Sequence, residues 1–137
     1  MGRHRITDDG SITLETVIAF PVAMLAVLLT INAALWYHAR NTALAAAQEG
    51  VRTGRAYGHN ADRSRATALS FAQTVGNGFL LSPRVDTSGT NATTVVVRVQ
   101  GRAVSLIPGL RLSIDQVARG PVERFTTPSG SPVRGGQ

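Results

Sequence analysis

From Thr16 to Ala39 the chain carries no Asp, Glu, Lys or Arg. The apolar centre of that stretch, Val17–Trp36, is 20 residues long and is broken only by Pro21, Thr30 and Asn32. As a helix rising ~1.5 Å per residue it spans ~30 Å, the thickness of a bilayer core. Trp36 and Tyr37 close the run, where an interfacial aromatic belt belongs. Residues 17–37 therefore read as a transmembrane segment. A cleaved secretory signal is the competing reading, because Ala33, Ala34 and Ala39 could supply the small residues of a cleavage site. The run exceeds the ~7–15 apolar residues of such a signal, which favours an anchor that persists. Pro21 is expected to kink or locally open the helix: its ring removes one N–H, and in a bilayer the freed carbonyl needs another partner.

What remains outside the membrane is small. The chain has 137 residues and no cysteine, so disulfides and thiolate metal sites are excluded. A head of this size builds only a modest core and depends on packing or assembly for its stability. The net charge of +6 comes from arginines spread between Arg3 and Arg134. With no dense basic run, few aromatics and no nucleic-acid motif, the charge does not point to a nucleic-acid partner.

Beyond the aromatic pair the helix is expected to continue to residue 57, since "YHARNTALAAAQEGVRTGRAY" is rich in helix formers. A helix over 11–57 would be ~70 Å long. Leu44, Ala47, Val51 and Gly54 form a narrow apolar seam, and Ala46, Gly50 and Gly54 form a ridge of small residues on the next stripe. Glycines weaken an isolated helix by up to ~1 kcal/mol each relative to Ala, so this ridge implies close packing. Two partners fit it: the chain's own head, or the helix of a neighbouring copy.

The fold expected is α+β. Gly58 ends the long helix, and Asn60 or Asp62 caps a second, short helix over about 61–76, which Gly76 and Gly78 stop. The period then changes to that of strands. One is expected at Pro83–Asp86 and one at Thr93–Gln100, where β-branched residues are dense. After a break at Pro108–Gly109 a third follows, in which Leu110, Leu112, Ile114 and Val117 mark the covered face. Together these make a small antiparallel sheet with helices over one side, in a head spanning residues 58–125. Residues 126–137 are Pro, Gly, Ser and Thr with little else apolar, the composition of a disordered tail.

Glu15 stands at the lip of the apolar run. An unpaired carboxylate at the bilayer centre costs ~2.5–3.5 kcal/mol on insertion scales. The simple reading is an acid in the first turn at the membrane surface, where the helix dipole is worth ~0.3–1 kcal/mol. The sharper reading gives it a cationic partner.

The pattern around it resembles a known family. A short leader ending in Gly10, then Ser11, then Glu15 and an apolar helix resemble a type IV pilin or pseudopilin precursor. The "LWYHARNTALAAAQEGVRTGRAY" stretch, with Ala46, Ala47, Glu49, Gly50 and Arg52 in an "AA-x-EG-x-R" pattern, is closer to the TadE-like minor pseudopilins of tight-adherence pilus systems. The resemblance covers residues 8–57. It implies that residues 1–10 are a leader, cut between Gly10 and Ser11 by a membrane-embedded prepilin peptidase on the cytoplasmic side. The head would then be extracytoplasmic, on a single-pass membrane protein whose partners are other pilin and pseudopilin subunits. Cleavage would leave an α-ammonium on Ser11, a group whose ordinary pKa is about 8. Glu15, one turn on, could pair with the ammonium of the next subunit and set axial register, as one buried polar residue does in a coiled coil.

No enzyme is expected. His4, His38 and His59 lie apart with no metal-ligand spacing, Ser11 has no base placed beside it, and Asp86, Asp115 and Glu123 show no catalytic spacing. No metal, cofactor or small-molecule ligand is implied. Asn91-Ala92-Thr93 fits a glycosylation sequon and is read as a chance match. The rival function is a single-pass anchored extracytoplasmic binding module that never polymerises.

Overall fold

A computed structural model describes residues 9–56 and 60–122, and for residues 9–14 the backbone alone. The expected tail and residues 1–8 of the expected leader lie outside the described residues. The order of elements is α1 (Asp9–Ala56), α2 (Ala61–Val75), β1 (Leu80–Asp86), β2 (Thr94–Ala103) and β3 (Leu112–Pro121). The α+β class is as the sequence predicts: a long helix, a short helix and a three-stranded antiparallel sheet in the order β1-β2-β3.

The 48 residues of α1 form one unbroken helix, through Pro21 and on into the head. At ~1.5 Å per residue it is ~70 Å long. It begins at Asp9, two residues before the expected start at Ser11. The local opening expected at Pro21 does not interrupt the helical assignment. The missing N–H costs one backbone bond but leaves the rest of the ladder in place. Thr30 satisfies its hydroxyl within the helix, donating to the Ala26 carbonyl at 2.8 Å. That arrangement suits an apolar solvent, since it leaves no polar hydrogen unpaired.

α2 is bounded by local chemistry. The Asn60 side chain accepts the Arg63 N–H at 2.9 Å, and Asp62 stands in the first turn. At the other end the Gly76 N–H donates to the Ala72 carbonyl at 3.0 Å. Gly78, at φ +82°, then turns the chain into β1.

β2 is the centre of the sheet and of the core. It pairs with β3 over ten residues, from Thr94 with Pro121 to Ala103 with Leu112. Val95, Val97 and Val99 alternate onto the covered face and are fully buried. From β3 the same face receives Leu112, Ile114, Ala118 and Gly120. Val117, expected there, instead pairs with Arg98 on the opposite face, and Leu110 lies in the loop before the strand. The strict alternation of a strand decides this: Val117 is an odd number of residues from Ile114. β1 begins at Leu80, earlier than expected, because a bulge between Leu81 and Arg84 lets the strand carry Ser82 and Pro83. Ser82 takes φ 49° there, and β1 is an edge, where a bulge and a proline are tolerated.

Ala39, Ala43, Ala46, Ala47 and Val51 of α1, with Ala68 and Ala72 of α2, complete the core. Small side chains on both helices allow close approach to each other and to the valine face of the sheet.

Candidate assembly site along the N-terminal helix

The first part of α1 projects from the head. Every described residue from Glu15 to Ile31 is exposed except Leu28, which is intermediate. Val17, Ile18, Phe20, Val22, Met24, Leu25, Val27 and Leu29 each show more than half of their surface. Soluble domains rarely leave such a surface open to water, and it fits a lipid or protein environment. By length and composition this helix is able to cross a membrane. Trp36 and Tyr37 are both exposed on it, at 37% and 59%.

Gly10 and Ser11 belong to the first turns of α1, so the bond between them has helical backbone geometry. A protease that requires extended substrate must first unwind that end. Among the described residues, the first buried position along α1 is farther on, at Asn32. Glu15 lies one turn beyond Ser11, exposed, at the start of the projecting apolar surface.

The small-residue ridge lies against the chain's own head. A Cβ added to Gly50 would meet Ala68 Cβ at 2.9 Å, the Ser64 carbonyl oxygen at 2.9 Å and Val97 Cγ1 at 3.2 Å. One added to Gly54 would overlap Ser64 Oγ and come within 2.9 Å of Val95 Cγ1. Ala46 is fully buried beside them. Of the two partners the sequence left open, the intramolecular one occupies this face. The surface left for another subunit is the projecting part of α1.

Glu49 and Arg52 of the same segment pair with each other along the helix at 3.1 Å. With Arg52 largely exposed, the pair adds only ~0.3–0.5 kcal/mol, typical of a surface pair within a helix.

One contact was not legible in the sequence. Asn32, inside the apolar run, is only 3% exposed. Its Oδ1 accepts the Ser105 hydroxyl at 3.0 Å and the Leu106 N–H at 3.1 Å, while its Nδ2 donates to the Leu28 carbonyl at 3.1 Å. The β2–β3 loop is thereby tied to the long apolar helix. A polar residue in an apolar run was the only available signal, and it did not identify a partner 73 residues away. At the same end of the head, Phe79 packs edge-on against His38, ring centroids 4.8 Å apart.

The remaining polar candidates are structural. Asp115 meets Arg98 at 3.2 Å and Gln100 at 3.1 Å on the outer face of the sheet. The backbone N–H and hydroxyl of Ser88 hold the Asp86 carboxyl below its ordinary range and pin the turn after β1. Asn91 accepts the Thr93 N–H, the Thr93 hydroxyl and the Thr94 N–H, so its sequon residues close a turn. Among the described residues no group of His, Asp and Glu could hold a metal ion.

A projecting apolar helix fused to a small α+β head defines a stalk-and-head protein with a candidate single-pass anchor. In comparison with known families, residues 10–52 match the family described as TadE-like protein. The matched stretch runs from the expected cleavage position through the projecting helix to Arg52, and the resemblance read from the sequence is thus found independently. No curated protein and no solved structure gives a significant match.

Proposed function

We propose that this chain is a minor pseudopilin of a Tad-type pilus system, made as a precursor, cut after Gly10 and packed through its N-terminal helix. The carrying observation is the exposed surface of α1 from Glu15 to Ile31, set at the end of a head whose own core closes without it. A lone anchor needs only an apolar surface. A subunit of a helical assembly also needs a device that fixes its axial position, and Glu15 one turn beyond Ser11 supplies one. In this reading the Ser11 ammonium of one subunit pairs with Glu15 of the next, which removes the cost of an unpaired carboxylate in the apolar layer. Its partners are the prepilin peptidase and other pilin subunits, its N-terminus is cytoplasmic and its head extracytoplasmic. It has no catalytic role.

The N-terminus of the protein recovered from cells tests the reading. Intact mass and N-terminal sequencing are expected to give Ser11 as the first residue. Retention of residues 1–10 would favour a simple anchored module, and a start beyond Ala34 a secreted protein.

A further inference from the structure

We infer that the β2–β3 loop, residues 104–111, is a second membrane contact: it sits in the leaflet on the head's side, its apolar tip among acyl chains and Arg102 and Arg111 at the lipid phosphates. This rests on the anchor assigned to Val17–Trp36. The primary observation is depth. Asn32 lies one helical turn, ~6 Å, to the membrane side of Trp36. Asn32 Oδ1 nevertheless holds the Leu106 N–H at 3.1 Å and the Ser105 hydroxyl at 3.0 Å. If Trp36 marks the interface, the loop backbone is below it. Were the loop kept in water, the bilayer would begin before Asn32, leaving Thr16–Ile31 as the uncharged span. Those residues reach only ~24 Å as a helix, short of a ~30 Å core.

The loop is built for that place. From Val104 to Leu110 it has no charged residue, and Leu106 and Leu110 are 51% and 40% exposed. Four of its backbone N–H groups have partners inside the protein. The Val104 N–H donates to the Phe79 carbonyl at 3.0 Å and the Leu110 N–H to the Ile107 carbonyl at 3.2 Å. The Ile107 N–H donates to Ser105 Oγ at 3.1 Å, the Leu106 N–H is held by Asn32, and Pro108 has none. The bonds lower the cost of taking this backbone out of bulk water, and the groups left over place the loop at the headgroup boundary, with only its side chains reaching the acyl chains.

Charge agrees. The exposed arginines nearest the loop are Arg102 and Arg111, which border the cleft between it and Leu81. Among the described residues no acid lies on α1 between Glu15 and Glu49, and Asp115 is the nearest acid on β3, three residues beyond Leu112. An apolar tip flanked by arginines, with acids held away, fits a phospholipid surface.

The cysteine-free chain permits a direct test. Single-cysteine variants Leu106→Cys, Met24→Cys and Ser88→Cys, each carrying an environment-sensitive fluorophore, are reconstituted as the full chain in vesicles of phosphatidylglycerol and phosphatidylcholine. Quenching by spin-labelled lipids and by aqueous iodide is then compared. The expected result is blue-shifted emission at position 106, lost to lipid-borne quencher but not to iodide, with the reverse at position 88 on the far hairpin. Arg102→Glu with Arg111→Glu is expected to shift the position 106 emission back towards that of an aqueous probe, and no shift would overturn the role given to the arginines. Iodide quenching at 106 with lipid quenching retained at 24 would overturn the loop contact while leaving the anchor intact. Shielding at 106 from both quenchers would mean that protein covers the loop, and would also overturn it. Iodide quenching at 24 would overturn both the anchor and the contact that rests on it.

Discussion

Gly54 and Ser64 show how tightly α1 and α2 are set against each other. Ser64 is fully buried, and its hydroxyl has no hydrogen-bond partner among the described residues. Gly54→Ala would drive a methyl group into that hydroxyl. Overpacking of this kind costs ~1–3 kcal/mol, against a helix-propensity gain of up to ~1 kcal/mol. The substitution is expected to lower the thermal midpoint of the full chain in detergent micelles. Ser64→Ala alone should be neutral or stabilising, since it removes an unpaired buried polar group. Combined with Gly54→Ala it should recover part of the loss, with Val95 Cγ1 still close. Gly50→Ala should gain no such relief, because its close neighbours include the Ser64 backbone carbonyl, which Ser64→Ala leaves in place. Equal effects of Ser64→Ala on both glycine variants would refute this account of the packing.

At the scale of elements, the tie between α1 and the β2–β3 loop is the least ordinary feature. Asn32→Leu keeps the run apolar but leaves the Leu106 N–H without its acceptor, while the Ser105 hydroxyl keeps the Ile107 carbonyl at 3.2 Å. Loss of a buried acceptor of this kind costs ~1–3 kcal/mol. Hydrogen exchange should report faster exchange at Leu106, with β2 protection retained. Unchanged exchange at Leu106 would show that the bond carries no weight. Helices and strands were largely legible beforehand, and the reasons are local. An uncharged run marks the anchor, Asn60 and Gly76 mark the ends of α2, and the valines of β2 mark the central strand. What escaped notice depended on long-range geometry. The bulge at Ser82–Pro83 conceals the true start of β1, a proline being read naturally as a strand's beginning. Val117 is apolar enough to suggest the covered face, but the alternation of the strand sets it opposite Arg98 on the outer one. Asn32 looked like an interruption in the anchor, since nothing local marks Ser105 as its partner.

For the whole molecule, the division of labour along α1 determines what mutation should do. One part of the helix is committed to the head's core, and the other is free to engage lipid or other subunits. Glu15→Ala lies wholly in the second part. It is expected to leave membrane insertion and cleavage after Gly10 intact while reducing the amount of protein recovered in sheared pili. Normal recovery would refute the pairing of Glu15 with the Ser11 ammonium. The spacing of Gly10, Ser11 and Glu15 is local and visible in the sequence, whereas the intramolecular use of Gly50 and Gly54 is not, because a small-residue ridge fits any close neighbour.

The unbroken course of α1 from Asp9 to Ala56 has a mechanical consequence. The rod whose projecting part is long and apolar enough to cross a membrane is the same rod on which the sheet is built, with no joint between them. A pull or a twist applied at the Glu15 end is therefore delivered directly to the valine face of β2. The head turns and rises with its stalk as one body, and a motor acting on the stalk would need no separate grip on the head.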